Sequence, residues 1–107
     1  MLYSILMLDK PGGEALREAA KDAHRVFIRQ HADRMFLGGP VFAEDETTMI
    51  GSLIVVECRD RAEAEAFVEA EPYRRAGLFE SVVIRPFSPV ITPGKALPYT
   101  QEGVQSP

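Results

Sequence analysis

The chain has a single cysteine, only two histidines and no long apolar run. Each shortage excludes a class of protein. Cys58, alone, cannot form an intrachain disulfide. It closes the apolar run Leu53–Val56, the setting of a small buried hydrophobe, whereas a nucleophilic thiol needs a lowered pKa and a neighbouring base. The N-terminal run Met1–Leu8 stops at Asp9, well short of the roughly 20 residues that span a bilayer. It has neither a basic start nor a small-residue cleavage site. The expectation is a cytoplasmic protein without a membrane partner.

Positive charge is also in short supply. The net charge is -4, and Arg74-Arg75 is the one adjacent basic pair, which reads as a solvated helix end. No nucleic-acid partner is expected, because phosphate contacts need a basic face. His24 and His31 lie seven residues apart, about 10 Å along a helix axis, too far to share one ion. No His-x-x-His, Cys-x-x-Cys or clustered acidic loop is present. Gly38-Gly39 leads into Pro40 and a strand, not into a helix N-terminus that could cradle phosphate. Neither a metal nor a cofactor is expected.

What is present is one domain's worth of alternating signals. Apolar residues make up 46% of the chain and charged residues 26%, a balance able to build one modest core in 107 residues. Leu2–Leu8 reads as a buried strand closed by the turn-forming Asp9-Lys10-Pro11-Gly12-Gly13. From Glu14 to about Gln30 the period becomes helical. An apolar stripe of Leu16, Ala19, Ala20, Ala23, Phe27 and Val26 stands opposite Arg17, Glu18, Lys21, Asp22, Arg25 and Arg29.

Arg34–Phe42 reads as a strand interrupted by a bend at Gly38, Gly39 and Pro40. A loop over Glu44–Thr47 and a longer strand over Thr48–Cys58 follow. Asp60 opens a second helix, with Glu63 at capping-box spacing and Ala62, Ala66, Phe67 and Ala70 as its stripe; Pro72 ends it. Phe79–Phe87 is the last strand.

The order βαββαβ is that of a ferredoxin-like α+β fold, an antiparallel sheet with two helices on one face. The open face of such a sheet invites a second copy, so a homodimer is expected. The domain is placed at residues 1–88. Residues 89–107, rich in proline and glycine, are expected to be an extended tail that either wraps a neighbour or stays disordered.

Chemistry has few places to reside. His24 borders the helical stripe, where a histidine commonly serves structure. His31 reads as a cation at a helix C-terminus. Of the sixteen carboxylates, Glu14, Glu18, Glu63, Glu65 and Glu69 read as solvated helix positions. Glu71 differs, because Pro72 restricts its backbone and Tyr73 follows, holding its side chain at a turn. With both helices on one face of the sheet, a His24–Glu71 contact is geometrically allowed.

Several ordered blocks resemble the YCII-related domain family over roughly residues 1–88. They are Asp9-Lys10-Pro11-Gly12, Ala23-His24, Gly39-Pro40, Gly51-Ser52-Leu53 and, most specifically, Glu71-Pro72-Tyr73-Arg74-Arg75-Ala76-Gly77-Leu78-Phe79-Glu80-Ser81. The resemblance implies a fold of the dimeric α+β barrel type with a small pocket holding a histidine–aspartate pair. His24 takes the histidine position. Glu71 stands where the family pattern has aspartate, one methylene longer. A characterised member acts as a dehydrochlorinase on a chlorinated hydroxyquinol.

A carboxylate at one imidazole nitrogen fixes the tautomer and orients the ring, leaving the other nitrogen to exchange a proton. The expected function is therefore a cofactor-independent acid/base enzyme, an isomerase, lyase or dehydrochlorinase-like catalyst. Its substrate would be a small aromatic or carbonyl-containing metabolite. His24 and Glu71 would be catalytic, and Gly39, Pro40, Ser52 and Tyr73 would line the ligand pocket. The alternatives are a non-catalytic small-ligand-binding or accessory module using the same pocket, and a purely structural dimerisation domain.

Overall fold

A computed structural model describes residues 1–96. Its elements are β1 (Leu2–Asp9), α1 (Glu14–Gln30), a single 3-10 turn (Ala32–Arg34), β2 (Met35–Phe42), β3 (Met49–Glu57), α2 (Arg61–Ala70), α3 (Pro72–Arg75) and β4 (Phe79–Phe87). A small hairpin of β5 (Ile91–Thr92) and β6 (Lys95–Ala96) follows. The four long strands form one antiparallel sheet in the order β2-β3-β1-β4. This is the ferredoxin-like α+β arrangement that the element order implies.

The two-residue period of the strands separates the faces of the sheet. Tyr3, Ile5 and Met7 of β1, Ile54 and Val56 of β3, and Ile84 of β4 point to the helical side and share the core with Ala64, Phe67 and Val68 of α2. Ala20 and Phe27 of α1 pack against that cluster. On the opposite face Leu37, Leu53, Val83 and Phe87 stay exposed.

Both helices are turned relative to the stripes read from the sequence. Leu16 and Val26 are exposed, as are Ala19 and Ala23, while Arg17, Ala20, Lys21, His24, Phe27 and Ile28 form the half-buried face of α1, continued by His31 just beyond its end. In α2 the buried residues are Ala64, Phe67 and Val68, and Ala62, Ala66 and Ala70 face outward. Alanine carries too little apolar area to decide the rotation of a helix. The larger aromatic and branched side chains decide it, and on α1 they bring polar groups inward with them.

The bend expected at Gly38-Gly39-Pro40 is not there. β2 continues through them, pairing Gly38 with Ile54, Gly39 with Leu53 and Pro40 with Ser52. Its register shifts occur instead between Met35 and Leu37 and between Val41 and Phe42. Proline is tolerated because β2 is an edge strand, where a missing ladder donor costs little. Gly51 has the demanding position: a Cβ there would meet the Met7 carbonyl oxygen at 2.4 Å, so β3 approaches β1 closely just before Ser52.

Asp60 caps α2 as the sequence suggests, accepting from the Glu63 N–H at 2.9 Å. The reciprocal bond is displaced by one residue, since the Glu63 side chain accepts from the Arg59 N–H. Pro72 ends α2 and also begins α3, where its fixed φ and missing N–H suit the first helical position. Of the expected tail, Pro89 is fully buried and residues 91–96 form the small hairpin; the remainder lies outside the described residues. Among the described residues, no helix is long and apolar enough to cross a membrane.

Candidate functional site

Glu71 connects α2 to α3. As the N-cap of α3 it has an extended backbone, and its carboxylate turns back over the first turn, Oε2 accepting from the Tyr73 N–H at 3.2 Å. The residue is only 1% exposed. Its other oxygen, Oε1, lies 2.6 Å from His24 Nδ1 on α1. Oxygens of a carboxylate accept, so Nδ1 carries the hydrogen and Nε2 is the nitrogen left to exchange a proton. Among the described residues Nε2 has no partner. The additional methylene of glutamate is thus accommodated, since one carboxylate reaches both the cap and the ring.

Tyr73 fixes the plane of that ring. Its own ring stacks on His24 with centroids 4.1 Å apart and an interplanar angle of 16°. Arg17 covers Tyr73 in turn, its guanidinium carbon 4.6 Å from the ring centroid. Arg17 is held by a two-point bond to Asp9, Nε to Oδ2 at 2.8 Å and Nη2 to Oδ1 at 3.0 Å. Asp9, Arg17, Tyr73, His24 and Glu71 therefore make one connected stack of charges and rings. The loop that follows Asp9 is tied to the turn after α3 by the Lys10 N–H, which donates to the Leu78 carbonyl at 2.8 Å.

Two of these groups have shifted acidities. Burial pushes the Tyr73 phenol above its ordinary range, with the positive charge of Arg17 pulling the other way. For Arg17, burial opposes the charge, yet the hydrogen bond and charge of Asp9 outweigh it and raise the pKa. Both side chains keep their hydrogens throughout the neutral range.

Beside the stack lies a cavity of about 540 Å³, a size suited to small ligands, whose pockets run from about 300 to 1,000 Å³. His24, Tyr73, Ser52, Gly39 and Pro40 all line it. A Cβ on Gly39 would meet nothing within 4 Å, because it would project on the exposed face beside Leu53, so Gly39 lines the cavity with its backbone. Glu71 does not line the cavity; it acts on it through His24. Sequence reasoning assigned Arg17 to solvent and gave Asp9 no role. The detectable signal was the spacing of Arg17, His24 and His31 at seven-residue steps, two helical turns each, along one face.

The remaining candidates are structural. Cys58 is fully buried, with Arg34 Nη2 3.7 Å from its sulfur, and burial pushes its thiol up. The Nδ1 of His31 donates to the Phe27 carbonyl at 2.8 Å, and its ring packs on Phe27 and Phe67. Arg74 pairs with Glu69 on the surface. No group of three or more metal-ligating side chains occurs among the described residues.

The model of the YCII-related domain matches residues 1–88. The chain belongs to the YCII-related domain family. It is 31% identical over 97 residues to the protein YciI of Escherichia coli, covering 84% of this chain and 99% of that one. An uncharacterised Haemophilus influenzae protein is 27% identical over the same length and coverage. Among solved structures it resembles 5-chloro-2-hydroxyhydroquinone dehydrochlorinase from Burkholderia phenoliruptrix, in complex with 2,5-dihydroxybenzoquinone. The TM-score is 0.76 at 28% identity, over 82% of this chain and 94% of that one. A structural neighbour of the chain is thus a dehydrochlorinase.

Proposed function

We propose that this YCII-related protein is a cofactor-independent acid/base catalyst acting on a small aromatic or carbonyl-containing metabolite. The carrying observation is the 2.6 Å contact between His24 Nδ1 and the buried Glu71 Oε1, made by a histidine that lines a ligand-sized cavity. Glu71 holds the tautomer, Tyr73 holds the plane, and Nε2 takes a proton from the ligand or returns one to it. Such a step contributes about 10²–10⁴-fold in rate. Elimination needs one proton taken from the ligand while a leaving group such as chloride departs with its electron pair, and isomerisation needs a proton removed at one atom and returned at another. The neighbouring dehydrochlorinase supports the elimination form.

The test is turnover of chlorinated and unchlorinated hydroxyquinols and enolisable carbonyl compounds, followed by chloride release and by solvent deuterium incorporation. Wild type should act on at least one of them. His24→Ala, folded by circular dichroism, should lose about 10²-fold or more. Equal activity in the variant would refute the reading. Ligand binding without any turnover would favour the non-catalytic module instead.

A homodimer is part of the same proposal. Leu37, Leu53, Val83 and Phe87 lie on one face of the sheet and are exposed in the single chain, and apolar faces of this kind mark association surfaces. Light scattering should give twice the chain mass, and Leu53→Glu should lower it.

A further inference from the structure

The charges around the cavity are not balanced. Arg17, Lys21 and Arg25 line it, against the single carboxylate of Glu18. Arg17 is neutralised by Asp9, and Lys21 lies 3.0 Å from Glu18. Arg25, one residue beyond His24, has no ion-pair partner among the described residues. A second polar group is unmatched. Ser52 is 5% exposed and lines the same cavity, yet its hydroxyl has no hydrogen-bond partner among the described residues. A buried hydroxyl left without a partner costs about 1–3 kcal/mol, so a group that supplies an acceptor there is favoured. Apolar wall is provided by Ile28, Met35 and Ile54.

We propose that the cavity selects a small aromatic oxyanion, a planar ring bearing a carboxylate or an ionised phenol. Arg25, with Lys21 beside it on α1, meets the charge, and Ser52 donates its hydroxyl hydrogen to a ligand oxygen. The ring itself lies against the apolar wall. A neutral ring of the same shape would fill the space while covering a cation that it cannot compensate. Lys21 and Arg25 are thus specificity-determining residues, distinct from the His24–Glu71 pair. The inference rests on the proposed function only in placing the ligand in this cavity.

Isothermal titration of benzoate against benzamide tests it, with pentafluorophenolate against pentafluorobenzene as a second pair to separate carboxylate from phenolate. The charged member of at least one pair should bind about tenfold more tightly, the difference of one charge-assisted hydrogen bond. The double variant Lys21→Gln/Arg25→Gln changes two surface positions, should fold normally, and should remove that preference without weakening the neutral member. Ser52→Ala should weaken benzoate and benzamide alike while keeping or raising the melting temperature, since it deletes a partnerless hydroxyl. A purely structural Ser52 would lower the melting temperature and spare affinity.

No preference for either anion, or no binding by any probe into the millimolar range, overturns the inference. So does a preference that survives the double variant. Because affinity and not turnover is read, His24→Gln should still bind the anion. Loss of turnover with retained anion selectivity leaves this inference standing, and turnover without anion selectivity overturns it while sparing the proposed function.

Discussion

Tyr73 lies flat on His24, 4.1 Å between ring centroids, while its own backbone N–H donates to the carboxylate that holds that same imidazole. One residue therefore controls the ring by its face and, through Glu71, by its edge. Tyr73→Leu should leave the cap bond in place but free the ring to tilt. The expected outcome is a fall in kcat with little change in KM on whichever substrate the wild type accepts. An accompanying loss of about 1–3 kcal/mol should appear in urea denaturation, as for other poorly matched core replacements.

The Tyr73 phenol gives a readout at high pH. Burial raises its pKa above the ordinary 10, so the neutral form is the one favoured by folding. Stability from this group is complete below pH 10 and is lost as pH rises through the higher folded value. Tyrosinate absorbance should show a late step that is absent in Tyr73→Phe.

Glu71 should be separable into its two duties. Glu71→Gln retains an oxygen for the His24 hydrogen but removes the charge, and should impair proton transfer more than folding. Glu71→Leu strands both donors and should cost about 2 kcal/mol or more. Nitrogen-15 shifts of the His24 ring would report the tautomer: Nδ1–H in wild type, a mixture in the leucine variant.

At the hairpin between β2 and β3, Asp45 accepts from the Thr48 hydroxyl and from the N–H groups of Thr48 and Thr47, and these bonds lower its pKa from 3.8 to about 2. The sign follows from the lowered folded value. Its contribution is present above the ordinary carboxylate pKa and vanishes as pH falls through about 2. In Thr48→Val the Asp45 carboxyl should titrate closer to 3.8, as followed by carbon-13 chemical shift.

Two glycines should respond oppositely to alanine. Gly51→Ala forces a Cβ against the Met7 carbonyl at 2.4 Å and should cost about 1–3 kcal/mol by overpacking. Gly39→Ala meets nothing within 4 Å and should fold within about 0.5 kcal/mol of wild type. Its new methyl group projects on the exposed face shared with Leu37 and Leu53, away from the cavity, so ligand affinity should hold along with the melting temperature.

The strands and helix limits were legible because apolar runs and breakers report them directly. Glu14–Gln30 and Phe79–Phe87 are found where the sequence places them. The rotation of α1 was not legible. Periodicity assumes that the inward face is the apolar one, and a helix that walls a cavity breaks this assumption by turning Arg17 and His24 inside. The His24–Glu71 contact was foreseeable only as allowed, since it joins residues 47 apart through a cap on a four-residue helix. Pro72 supplied the local clue, marking where a side chain could be held still. Ser52 is the opposite case: it lines the cavity, and its unmatched hydroxyl exists only in three dimensions.

Glu71 ends one helix and starts the next. Inheritance of this carboxylate is therefore a weak witness to activity, because a descendant that had abandoned the chemistry would still need it to turn the chain. His24 is under no comparable obligation. When working members of such a lineage are sorted from idle ones, the imidazole is the residue to read.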